Sequence, residues 1–97
     1  MVCSENVCRF TGILISYEAK LVGNDGYLLG SAQLFLPDSE TQKGPKIKLV
    51  AWGDTAERLG EVPLNSWIEV VTCYTPDWFG NKLYDNFTIG AFSIKNA

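Results

Sequence analysis

Ninety-seven residues, 46% of them apolar and 20% charged, support one globular domain over residues 1–97 with a modest core of its own, folding alone or as an oligomer. Eight basic and eleven acidic residues leave a formal charge of -3, which as a bulk property argues against a polyanionic partner, and no apolar run is long enough to span a bilayer. Three cysteines, at 3, 8 and 73, with no histidine, exclude the common zinc ligand sets and lead us to expect incidental thiols in a reduced, cytosol-like compartment.

The opening "MVCSENVCRF" lacks the basic start and apolar run of a secretory signal. "NVCRFTGILISYEAKL" then sets β-branched and aromatic residues in rough alternation and predicts a first strand from about Val7 to Ser16, with Gly12 interrupting it as a bulge or bend. In "GNDGYLLGSAQLFLPDSETQKGP" an Asn-Asp-Gly turn leads into a second strand, Tyr27 to Leu36, and a Pro-, Asp-, Ser- and Gly-rich loop follows. "KIKLVAW" alternates cleanly: Ile47, Leu49 and Ala51 take one face of a third strand, and Lys46, Lys48, Val50 and Trp52 take the other. After Gly53 the order Asp54, Glu57 reads as a capping box for a short helix, with Ala56 and Leu59 as its apolar stripe and Gly60 and Pro63 as its stop. "SWIEVVTCYT" and "NKLYDNFTIGAFSI" are two further strands, and "PDWFG" between them predicts the tip of a hairpin.

Three strands, one helix and a hairpin give an all-β chain whose sheet edges are protected if it closes into a small barrel, with the helix plugging one end. This is the element order of a five-stranded OB-fold with one short helix between strands three and four, whose ligand surface is the face of strands two and three and the loops joining strands one to two and four to five. Charge is distributed to match: Thr41 to Gly53 holds Lys43, Lys46 and Lys48 and no acid, whereas Asp54 to Asp77 holds five acids against Arg58.

Single-stranded nucleic acid presents bare base faces and a phosphate at each step, so its binders combine aromatic platforms with cations. Lys46 and Lys48 share a face with Trp52, and Trp78 and Phe79 stand near Lys82 at the last hairpin. Phe35, on the face of Gln33 and opposite Leu34, extends the candidate platform, and Arg9 projects either toward phosphate or toward an acid such as Glu69. Each residue has a competing structural reading: Trp52 as a barrel-end core residue, Trp78 and Phe79 folded back or in a subunit contact, and the lysines as guards of a sheet edge. Trp67 reads as a packing residue. No paired carboxylates, phosphate-cradling glycine loop or nucleophile elbow can be assembled, so a non-enzymatic chain without cofactor or metal is expected.

"NVCRFTGILI", "KIKLVAWGDTAERLGEV", "SWIEVV" and "DWFGNKLYDNFTI" together resemble the bacterial and organellar single-stranded DNA-binding protein family over nearly the whole chain. The resemblance implies an OB-fold core that binds single-stranded DNA in replication, repair and recombination, assembles as a homodimer or homotetramer, and works in the cytoplasm at the nucleoid or in an organelle. It assigns base stacking to Trp52 and Trp78 and matches Lys46 and Lys48 to outward residues of the third strand, with Lys46 standing where a tryptophan is common. The family's acidic tail, which recruits replication and repair enzymes, has no counterpart in "SIKNA". An assembly barrel, like the primosomal protein of the same architecture, and a single-stranded RNA binder are the alternatives.

Overall fold

A computed structural model describes residues 6–37 and 44–95; Lys43 and Cys3 lie outside the described residues. The chain runs β1 (Val7–Val22), β2 (Tyr27–Phe35), β3 (Lys46–Trp52), α1 (Gly53–Leu59), β4 (Trp67–Phe79) and β5 (Lys82–Ile94). The strands close in the order β1-β2-β3-β5-β4, an OB-fold barrel with its helix between β3 and β4, as the sequence leads one to expect. All neighbouring pairs are antiparallel except β3 and β5, whose parallel contact joins Val50 to Thr88.

Alternation decides which residues enter the core. Leu34, Leu49, Ile68 and Val70 are fully buried from β2, β3 and β4, and α1 adds Ala56 and Leu59. Each large aliphatic buried in this way contributes about 1.5–3 kcal/mol of transfer free energy. The hydroxyl of Tyr17, in β1, donates to the carbonyl of Ala56 and ties the helix to the sheet.

Four local expectations are corrected. The first strand continues past Ser16 to Val22, and its register break lies between Leu14 and Ser16, not at Gly12. Gly12 is instead a close crossing, where a Cβ would stand 2.4 Å from the carbonyl oxygen of Phe35. The helix is not closed by a capping box: its N-cap is Trp52, without a side-chain cap, and Asp54 lies within the first turn. Pro76 through Phe79 are not a turn but strand, and the hairpin is closed by Gly80 and Asn81, with Gly80 at φ 63. Among the described residues β1 pairs with β4 only as far as the amide of Tyr74, which donates to the carbonyl of Asn6, so the missing N–H of Pro76 leaves no ladder bond unmade there. Among the described residues β4 and β5 continue beyond that point as a two-stranded arm.

The thiol expectation is also corrected. Cys73 is disulfide-bonded, whereas Cys8 is a half-buried free thiol. Cysteine pairing depends on Cα separation in the fold, which linear spacing does not disclose, and the reduced compartment loses the ground on which it was expected.

Candidate nucleic-acid interface

Cross-strand partners share a sheet face, so the register maps the outer surface of the barrel. Leu29 pairs with Trp52, Ser31 with Val50, Gln33 with Lys48 and Phe35 with Lys46. Trp52, Lys48 and Lys46 therefore form one outward row along β3, and Gln33 and Phe35 flank it on β2. Trp52 is 46% exposed, and both lysines are exposed. Phe35 is half-buried beside them. The indole of Trp52 is thus not a core residue.

The register adds Lys20, which sequence reading passed over. It pairs with Leu29, itself the partner of Trp52, and so shares their face. "YEAKL" hides this because Glu, Ala and Lys are poor strand formers; the two-residue spacing of Glu18 and Lys20, on the face opposite Tyr17, was the available signal.

Because Val50 is in register with Thr88, the outer face of β3 continues onto β5 and then along one face of the arm. Phe79 pairs with Lys82 and Asp77 with Tyr84, which places all four on that face. The rings of Phe79 and Tyr84 meet edge to face with centroids 5.5 Å apart, and the Lys82 ammonium stands 5.1 Å from the Tyr84 ring. Phe79 is 68% exposed. This aromatic and cationic cluster includes Tyr84, a second residue that the sequence did not single out.

Trp78 is equally bare, 67% exposed, but it is the strand neighbour of Phe79 and the partner of Leu83. It lies on the opposite face of the arm. A single strand following one face of the ribbon meets Phe79 and Tyr84 or Trp78 and Leu83, not both, so the two indoles at 52 and 78 do not share one continuous face.

Arg9 is not part of this surface either. It pairs with Val71 on the β1 and β4 side, and its guanidinium lies 3.9 Å from the carboxylate of Glu69. Trp67 is 40% exposed at the start of β4, on the wall of β1 and β4, and is not the packed residue the sequence suggested.

Between the arm and the outer face of the sheet lies a cleft of about 530 Å³, within the range of about 300–1,000 Å³ typical of small-molecule pockets. Ser16, Glu18, Ser31 and Gln33 line it from β1 and β2, and Lys48 and Val50 from β3. Tyr84, Asp85, Asn86 and Phe87 close it from β5. Asp85 accepts a 2.5 Å hydrogen bond from the hydroxyl of Tyr74, and that bond is the main reason the phenol titrates above its usual range. The Asn86 amide donates to Asp77 at 3.3 Å. Among the described residues no cluster of His, Cys, Asp or Glu could hold a metal ion, and no helix is long and apolar enough to cross a membrane.

No protein-family model matches the chain, and no curated protein matches it. Solved structures do. The SSB domain of a protein from Synechococcus sp. superposes with a TM-score of 0.75 at 13% identity, over 95% of this chain and 98% of that one. PriB from Ralstonia solanacearum superposes with a TM-score of 0.70 at 14% identity, over 96% of this chain and all of its own. A second crystal structure of that PriB gives 0.67 at 16% identity, over 95% and 100% of the two chains. At these identities what is shared is architecture, and the chain is an OB-fold barrel of the kind found in SSB domains and PriB.

Proposed function

We propose that the protein binds single-stranded DNA, with little sequence preference, along the outer face of β3 and onto the arm. The observation that carries the reading is the row of Lys46, Lys48 and Trp52 on one outward face, continued by Phe79, Lys82 and Tyr84. Bases stack on Trp52 at one end and on the Phe79 and Tyr84 pair at the other, each platform supplying about 1–3 kcal/mol. Phosphates meet Lys46, Lys48 and Lys82, with Lys20 beside Trp52; Phe35 packs under the path between β2 and the Lys46 end of β3. The role is one of binding, in DNA replication, repair or recombination, and it needs no cofactor. The likeness to an SSB domain supports the choice of ligand.

Titration with single-stranded and duplex oligonucleotides of one sequence tests this. Tight, salt-sensitive binding of the single strand and weak binding of the duplex support it; equal binding of both, or none, overturns it. A ribose oligomer in the same series separates DNA from RNA, since only a contact to the 2′-hydroxyl distinguishes them.

A second reading, an assembly barrel, draws on the exposed apolar pair Trp78 and Leu83, with Ile94 and Trp67 exposed on β5 and β4. Tight self-association of a chain that ignores single-stranded DNA is its expected signature, with a homodimer or homotetramer as the product.

A further inference from the structure

The register carries the outward face past Trp52. Leu29, the β2 partner of Trp52, also pairs with Lys20, and two residues back along β2 Tyr27 pairs with Val22. Side chains two apart on a strand share a face, so Tyr27 and Lys20 stand on the face of Trp52, Lys48 and Lys46. Tyr27 is the diagonal neighbour of Trp52, at a step of about 7–8 Å that aromatic side chains can span. β3 and β5 run parallel through Val50 and Thr88, which sets the arm at the Lys46 end of the row and the β1–β2 hairpin at the Trp52 end.

Nothing described in the fold claims the Tyr27 ring. The ladder of β2 with β3 ends at the pair of Leu29 and Trp52, where β3 gives way to α1, so no β3 residue stands beside it. Tyr27 is 62% exposed, against 46% for Trp52. Among the described residues it meets no other aromatic ring and its hydroxyl makes no hydrogen bond. Val22 and Leu29, half-buried on the same face, border it with apolar surface, and Lys20 is an exposed cation there. The turn beyond carries Asn24 and Asp25 between two glycines at positive φ. A carboxylate at that tip repels phosphate, so the aromatic and basic surface ends at Tyr27.

We infer that a bound single strand runs past Trp52 onto the β1–β2 hairpin, where Tyr27 is a further base-stacking platform and Lys20 meets the phosphate beside it. The inference rests on the single-strand reading above and adds a base at the end of the path away from the arm. Stacking on a ring is tolerant of base identity, so the addition lengthens the site without making it selective.

The test is anisotropy of a labelled single strand of mixed sequence, about sixteen nucleotides long to fill the site of one OB-fold, titrated with the native chain, Tyr27→Ala and Tyr27→Phe. The side chain is exposed, so thermal melting is expected to show both variants folded. Tyr27→Ala is expected to bind about fivefold or more weakly, and Tyr27→Phe, which keeps the ring, as the native chain does. A second measurement makes position 27 the one indole, through Tyr27→Trp with Trp52→Phe, Trp67→Phe and Trp78→Phe, and its emission is expected to be quenched saturably by the same strand. Native affinity in Tyr27→Ala, equal losses in the alanine and phenylalanine variants, or an emission that stays constant while anisotropy reports binding overturns the platform and leaves the single-strand reading intact. Failure of the native chain to bind the strand overturns both.

Discussion

Trp52 shows how a single residue's place in the register separates ligand contact from packing. Its ring is about half exposed on the lysine face, so Trp52→Ala is expected to weaken single-strand binding by about 1–3 kcal/mol and to leave the melting temperature nearly unchanged. Tyr17 is the opposite case. Its hydroxyl reaches from β1 to the carbonyl of Ala56, and burial raises its pKa from the ordinary 10.0. The neutral phenol is the donor, so its contribution is complete below pH 10.0 and is lost as pH rises through the higher folded-state value. Tyr17→Phe is expected to cost about 1 kcal/mol of stability at neutral pH, and chemical denaturation at pH 7 and above pH 10 is expected to show the gap between the two proteins closing. Gly30 keeps the place of that ring: a Cβ there would stand 2.6 Å from the Tyr17 oxygen.

At the scale of elements, the two clean faces of β3 were legible because alternation is strict from Lys46 to Trp52 and because half of the strand is wet. What stayed hidden follows from the same rule. The outer half of β1 reads as Glu, Ala and Lys, which disguises a strand, and Pro76 and Asp77 read as a turn because sequence does not show how far the pairing of β4 with β5 runs. That error matters for the site: as turn residues Trp78 and Phe79 act together, whereas as strand residues they divide between two faces. Phe79→Ala is therefore expected to lower single-strand affinity by about 1–3 kcal/mol and Trp78→Ala by much less, as measured by titration; the reverse order would route the strand over the Leu83 face. Gly12 belongs to this scale as well. Its missing side chain lets β1 pass the carbonyl of Phe35, and Gly12→Ala, meeting backbone at 2.4 Å, is expected to destabilise the barrel by about 1–3 kcal/mol, read from denaturant midpoints.

For the whole molecule, a net charge of -3 and a DNA-binding face are compatible because the charges are sorted. Lys20, Lys46, Lys48 and Lys82 lie on the outer face running from β1 to the arm, and Arg9 is spent on Glu69 across the barrel. Closure of five strands puts this face and the arm side by side, a juxtaposition that no segment read alone contains. The order of elements made the barrel legible, but the cleft arises only when β5 approaches the sheet of β1, β2 and β3. Three phosphates neutralised by Lys46, Lys48 and Lys82 would give a slope of log affinity against log salt of about -2. The most direct measurement keeps Trp52 as the only indole, through Trp67→Phe and Trp78→Phe, and follows its emission during titration with a single-stranded oligonucleotide of mixed sequence. Saturable quenching that weakens with salt at about that slope, and that duplex DNA does not reproduce, is the expected result; an emission that stays constant while the single strand binds would place the ligand elsewhere and contradict it.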